Sequence, residues 1–312
     1  MRVIRHLAGL PTRLSRVVLA LGNFDGVHRG HASILAEARR MASTGGRQVV
    51  VLTFQPHPVE VLVPDRIPWR IQSLHDRLAR LRDLGVDAVV AKRFTHAFAA
   101  LEAEAFVEEF LLRGLDLVGV VTGPTVSFGR GRRGSLDLLR ELGRRHGYEV
   151  RSIDPVLDEA GAVSSTALRT ALAEGDMETA GQLLGYPYRL RGRVVPGDRR
   201  GRTIGFPTAN LHVPGGVTLP PDGVYAARAK LGSTSHGAVL NIGVRPTFGR
   251  LARTIEAHLL EFDADVYGQW MAVEPVRRLR GERRFDGVDA LREAIANDVQ
   301  RARAVLCDGP AG

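Results

Sequence analysis

The 312 residues carry 43 Lys and Arg against 34 Asp and Glu, with 44% hydrophobic residues and a single cysteine, Cys307. One cysteine excludes intrachain disulfides and argues against a cysteine metal site. No apolar run approaches the ~18 residues that a membrane span needs. The opening ten residues hold Arg2, Arg5 and His6 without a following apolar stretch. No signal peptide or membrane partner is expected, therefore, and a cytoplasmic location is.

A formal net charge of +9 suits nucleic acid or polyphosphate ligands equally. The arginines are spread along the whole chain, Lys92 and Lys230 are the only lysines, and aromatics make up 6%. No aromatic and basic stacking platform is visible, so no nucleic-acid partner is expected.

In chain order, apolar runs at 17–21, 48–54, 88–91, 117–122 and 149–153 predict strands. Segments with helical spacing lie between them, at 31–43, 73–84, 102–112 and 136–146. Nearly all-apolar strands separated by amphipathic helices predict a parallel sheet covered on both faces. Two short helices, 165–174 and 177–184, close this half. The texture then changes. Strands at 188–195, 224–231, 238–242, 254–262 and 271–279 follow one another between turns rich in Gly, Pro and Asp. Consecutive strands without helices predict a small antiparallel barrel, ended by a helix over 288–305. The expected boundary divides the chain into 1–184 and 185–312.

The most informative stretch is Gly22-Asn23-Phe24-Asp25-Gly26-Val27-His28-Arg29-Gly30-His31, between the first strand and first helix. A helix N-terminus offers free N–H groups and a positive dipole end, which favour anions. His28 and His31 can donate hydrogen bonds to phosphates there, and Gly30 lets the backbone approach closely. The order His-x-Gly-His is a signature of nucleotidyl transfer without a covalent intermediate. Ser164, Ser165 and Thr166, with Arg169 one helical turn on, read as a second phosphate clamp or as simple helix caps. His57, between Pro56 and Pro58, is either a rigid loop residue or part of a pocket.

In the second half, Gly192, Gly197, Gly201 and Gly205 precede Phe206-Pro207-Thr208-Ala209-Asn210. Glycines let backbone amides wrap phosphates, and they also mark barrel corners. Thr208 and Asn210 share one side of an extended segment, where a hydroxyl and an amide oxygen suit magnesium carrying ATP phosphates. Glu256 and His258 face away from Ile255, Ala257 and Leu259 on their strand. A carboxylate on a rigid strand can take a proton from an alcohol attacking a phosphate.

Taken together these residues resemble the bacterial bifunctional riboflavin kinase/FAD synthetase family, over essentially the whole chain. The first-half matches are 22–31, Thr53-Phe54-Gln55-Pro56-His57-Pro58 and Ser164-Ser165-Thr166-Ala167-Leu168-Arg169. The second-half matches include 201–210, Asp222-Gly223-Val224-Tyr225, 241–247, Glu256-Ala257-His258-Leu259 and Leu279-Arg280. The resemblance implies an α/β nucleotidyltransferase-type doubly wound parallel sheet, then a small antiparallel six-stranded β-barrel with a C-terminal helix. It implies that riboflavin is phosphorylated to FMN, and that FMN is adenylylated to FAD with release of pyrophosphate.

Carried over residue by residue, His28, His31 and Arg169 would act in adenylyl transfer. Gly22, Asn23, Phe24, Asp25, Gly30, Ser164, Ser165 and Thr166 would bind its ATP, with His57 and Phe128 at the flavin or pocket. Gly192, Gly201, Thr208 and Asn210 would bind the kinase's ATP, Thr208 and Asn210 with magnesium. Glu256 would be the kinase base and Arg280 would meet the flavin. The expected partners are riboflavin, FMN and ATP; oligomerisation is left open.

One loop departs from the family pattern Gly-x-Asp/Asn-Phe-x-Phe-Gly. Here it reads Gly123-Pro124-Thr125-Val126-Ser127-Phe128-Gly129. Thr125 and Val126 therefore leave an alternative, a riboflavin kinase with an impaired or altered-specificity adenylyltransferase domain. A further alternative is a flavin-responsive nucleic-acid-binding regulator.

Overall fold

The computed structural model describes residues 1–7, 14–66, 70–159, 161–197, 200–247 and 250–308. The chain divides into two compact units, Met1–Ser165 and Thr166–Gly312.

The first unit is built on six parallel strands: β1 (Arg2–Ile4), β2 (Leu14–Leu21), β3 (Gln48–Phe54), β4 (Ala88–Lys92), β5 (Leu115–Thr122) and β6 (Glu149–Ser152). Their order is β1-β4-β3-β2-β5-β6. Alternate residues of the central strands enter two separate cores. Val17, Leu19, Val50, Leu52 and Val120 belong to one, and Val18, Ala20, Val49, Val51 and Val121 to the other. A sheet buried on both faces needs apolar residues at every position, which is why these strands lack polar alternation. Helices α1 (Arg29–Ala42) and α3 (Leu74–Asp83) cross over between strands, with the short α2 (Pro58–Leu62) between them. The predicted helix over 102–112 is present over 103–114, wound as a π-helix at Phe106–Leu111, which turns Phe106, Val107 and Leu111 into the core. Strand β1, three residues beside β4, was not expected from the sequence. A short hairpin, β7 (Leu157–Asp158) and β8 (Gly161–Ala162), follows the sheet.

The second unit holds β9 (Leu190–Val195), β10 (Ala209–His212), β11 (Gly223–Leu231), β12 (Thr234–Thr247), β13 (Arg250–Leu259) and β14 (Trp270–Arg280). They form the expected barrel, closed in the order β10-β13-β12-β11-β14-β9. Closure removes exposed sheet edges. Tyr225, Leu240 and Ala257 are paired across β11, β12 and β13 and fully buried. Val224, Ala226 and Val239 project to the opposite face and pack with Ala302, Val299 and Val305 of the C-terminal helix Val288–Asp308.

Packing and texture break the chain at different points. The sequence texture changes after 184, whereas the packing break falls at Ser165. The helix Met177–Leu184 contacts β14, and a Cβ at Gly175 would lie 3.3 Å from the Tyr225 hydroxyl. Helical periodicity reports that a helix exists, and not which sheet it covers.

Candidate active sites

The turn after β2 is tightly wound. Phe24, Gly26 and Val27 all have positive φ, at 51°, 88° and 37°. Phe24 and Val27 are fully buried, so core packing holds two side-chain-bearing residues in a conformation they rarely adopt. The turn delivers His28 to the N-cap of α1, where its Nδ1 accepts the His31 backbone N–H at 3.4 Å. An accepting Nδ1 leaves the proton of neutral His28 on Nε2, where it is a donor. The His28 and His31 rings stack at 3.8 Å. Gly30 makes room for this: a Cβ there would come within 3.2 Å of the His28 ring and 3.3 Å of the Val163 carbonyl.

Burial first, then His28 and Arg77, hold the His31 imidazole well below its usual titration range. His31 Nδ1 is buried with no hydrogen-bond partner among the described residues. Neutral imidazole beside a helix N-terminus without acidic first-turn residues is suited to donating hydrogen bonds to an anion.

Beneath the turn lies a frame that the motif reading missed. Asp25 is 1% exposed, and its carboxylate accepts from the Ile71 and Gln72 amides and from Arg77 Nη2 at 3.2 Å. The turn thus uses Asp25 inwardly, as a brace. Arg77 Nη1 also donates to Thr53 Oγ1 at 2.9 Å, and Thr53 donates to the Asn23 carbonyl at 2.7 Å. Ser165 Oγ donates to the Asp25 carbonyl at 2.9 Å, which ties the serine segment to the same turn. Ser164 is half-buried just before it, while Thr166 and Arg169 follow on the helix Ser165–Glu174. A signal for Arg77 existed in the sequence: it shares the apolar stripe of α3 with Leu74, Leu78 and Leu81.

His57 is 4% exposed and N-caps α2 in a capping box with Glu60. Phe128 is buried against Phe106, ring centres 5.3 Å apart, and against Gly134. Its ring belongs to the core. Thr125 of the same loop is exposed, and Val126 packs on the core.

On the barrel, Asn210 on β10 pairs with Glu256 on β13, which pairs with Asn241 on β12. Paired residues on adjacent strands project to one face, so an amide, a carboxylate and an amide stand abreast. Thr208 Oγ1 lies 3.5 Å from Glu256 Oε2. His258, two residues on, donates from Nδ1 to the Pro207 carbonyl at 2.8 Å. The Phe206 carbonyl lies too close to Gly201 for a Cβ there, and the Asn210 side-chain amide lies against Gly197. At Gly192 a Cβ would meet the His212 carbonyl at 2.7 Å, where β9 and β10 touch. A cavity of about 400 Å³ opens beside Thr208, lined also by Arg202, Phe262, Asp263, Asp265 and Tyr267. Arg280 is bound to Asp298 of the C-terminal helix through three contacts of 2.8–3.1 Å. Its guanidinium is thus engaged as a strut between β14 and that helix.

The FAD synthetase family profile matches residues 10–167, and the riboflavin kinase profile matches 184–306. A bifunctional riboflavin kinase/FMN adenylyltransferase of Escherichia coli is 39% identical over 287 residues, covering 92% of this chain and 91% of its own. The namesake of Haemophilus influenzae is 37% identical, covering 97% and 99%.

The chain belongs to the bifunctional riboflavin kinase/FMN adenylyltransferase family.

Another family member, from Bacillus subtilis, is 36% identical and covers 92% of each chain. A solved structure described as a macrolide-efflux protein from Streptococcus pneumoniae superposes with a TM-score of 0.86 at 31% identity, covering 96% of this chain and 98% of that one. No helix among the described residues is long and apolar enough to cross a membrane. As a family member the protein phosphorylates riboflavin and adenylylates FMN. The two family profiles and the relatives' names favour neither the impaired-adenylyltransferase alternative nor the nucleic-acid regulator.

Proposed function

We propose that FMN is made on the barrel, within 185–312, and FAD on the parallel-sheet domain, within 1–184. The observation that carries the kinase assignment is that Glu256 on β13 has Asn210 as its pairing partner on β10 and the Thr208 hydroxyl 3.5 Å from its carboxylate. In this reading Glu256 takes the proton of riboflavin's terminal hydroxyl as that oxygen attacks the γ-phosphorus of ATP, and ADP leaves. Gly201, Thr208 and Asn210 hold the phosphates, with the nucleotide entering the cavity beside Thr208.

A hydroxyl and an amide oxygen are the hard donors that magnesium prefers. No group of three or more His, Cys, Asp and Glu suited to a metal is present among the described residues. That donor set fits an ion brought in by ATP. Bound magnesium would neutralise charge on the phosphate oxygens during transfer.

Adenylyl transfer needs no base, because the attacking FMN phosphate is already ionised at neutral pH. Its oxygen attacks the α-phosphorus of ATP and pyrophosphate leaves. His28 and a neutral His31 would then act as hydrogen-bond donors, alongside the N-terminus of α1, Ser164, Ser165 and Arg169. The use of ATP, an intracellular nucleotide, supports a cytoplasmic location.

The test is turnover with labelled ATP, riboflavin and magnesium, followed by chromatographic separation of the flavins. Label in the γ-phosphate should enter FMN and then FAD, whereas label in the α-phosphate should enter FAD alone. Nucleotide found covalently attached to the protein would contradict direct transfer.

A further inference from the structure

We propose that Arg77 is a positioning residue for adenylyl transfer: one buried guanidinium locks the histidine turn, the end of β3 and residues 71–72 into a single frame. The proposal rests on the reading of the His28 and His31 turn as the adenylyltransferase site.

Arg77 is fully buried on α3, and burial lowers its pKa while Asp25 opposes that effect. Burying a cation is unfavourable, and an apolar residue of similar volume often serves stability as well or better. Leu81, one turn further along the same stripe, shows what the core accepts there. The guanidinium instead reaches four acceptors: Asp25 Oδ1, Thr53 Oγ1 and the carbonyls of Asn23 and Phe54. Asn23 and Asp25 lie in the turn that precedes His28, and Thr53 and Phe54 end β3 beside it. Asp25 passes the constraint on, through its carboxylate to Ile71 and through its carbonyl to Ser165. A forked, planar donor suits such a frame, because its hydrogen bonds diverge at set angles.

The positive charge of Arg77 also acts on the site. His31 is faced by the stacked His28 ring and by the Phe24 ring at 4.8 Å, and the Arg77 charge reaches it from α3. Asp25, in the same turn, is paired to Arg77. The ion pair therefore braces the turn, and the Arg77 charge biases the imidazole toward its neutral form.

The full-length protein and its Arg77→Gln, Arg77→Lys and Asp25→Asn variants test this. Arg77→Gln should lower kcat/KM for FMN adenylylation on the order of 10²-fold, as misplacement of a preorganised site does, with riboflavin phosphorylation at the parental rate. The second readout is the titration of the His31 ring, followed by NMR of histidine-labelled protein. Arg77→Gln removes a cation and should move that titration to higher pH. Asp25→Asn removes an anion and should move it to lower pH, although both variants break the same ion pair. Arg77→Lys keeps the charge and loses the fork, so it should lose adenylylation while the titration stays near the parental position. Shifts of the same sign in Arg77→Gln and Asp25→Asn, or parental adenylylation in Arg77→Gln, would overturn the proposal. A parental protein unable to convert FMN to FAD would overturn the site reading instead, and the titrations would still report on Arg77.

Discussion

The Thr208 hydroxyl, one residue before β10, lies 3.5 Å from a carboxylate oxygen of Glu256 on β13. In the proposed reading Glu256 is the base and Thr208 a phosphate-binding hydroxyl, set one residue before the β10–β13 pairing of Ala209 and Asn210. Glu256→Gln preserves shape and removes basicity. FMN formation should fall by on the order of 10²–10⁴-fold, while conversion of supplied FMN to FAD continues. Separate initial-rate assays of the two steps check this; parental riboflavin phosphorylation in the variant would refute Glu256 as base.

His258 pins the backbone that leads into Thr208, through its bond to the Pro207 carbonyl and its edge contact with Phe206. Loss of one such hydrogen bond is worth about 1 kcal/mol, or roughly five- to tenfold in binding. His258→Ala should raise the kinase KM for ATP by that factor and leave the KM for riboflavin unchanged. Steady-state kinetics with each substrate varied separates the two effects.

Arg280 and Asp298 form a pair in which Asp298 is 4% exposed. Removing one partner strands the other, and breaking a buried pair typically costs about 3–5 kcal/mol. Arg280→Met should therefore lower the urea midpoint of the barrel unit. If Arg280 instead serves chiefly to hold flavin, the riboflavin KM will rise with no change in that midpoint.

The packing of Met177–Leu184 on β14 makes a definite statement about fragments. Leu183 and Leu184 are almost completely buried, and each such leucine contributes about 1.5–3 kcal/mol. A fragment of residues 166–312 should fold and make FMN, and one of 185–312 should unfold at a lower temperature. Equal melting temperatures would show that the helix adds nothing to the barrel.

Glu37 on α1 accepts from Arg40 at 2.7 Å and from Arg151 on β6 at 2.6 Å. Those hydrogen bonds, with that from Arg40 the larger, bring its pKa down to about 2. A carboxyl group depressed in the folded state stabilises above its unfolded pKa and loses that effect as pH falls through the folded value. The contribution is thus complete at neutral pH and disappears between about 4.5 and 2. Glu37→Gln should lower the thermal midpoint at pH 7 and narrow its difference from the parent near pH 2.

Much of this architecture could be read from local pattern. Apolar runs at the period of buried strands, amphipathic segments between them and the later change to consecutive strands specified both folds. The His28-Arg29-Gly30-His31 turn and the Thr208 and Asn210 pair stood out because each lies within a few residues of sequence. Glu256, 48 residues beyond Thr208, stood out through the alternation of its own strand and the family resemblance. β1 was invisible, since three residues with two exposed carry no periodicity and gain their place only by pairing with β4.

Direction and partnership lay outside that local code. Asp25 and Phe128 sit within motifs, yet one braces Arg77 from 52 residues away and the other fills the core beside Phe106. Arg280 finds its counter-charge on a helix 18 positions later. Backbone periodicity is set by adjacent residues. The satisfaction of a buried charge depends on which distant groups packing brings within about 3 Å, and that is a property of the assembled fold.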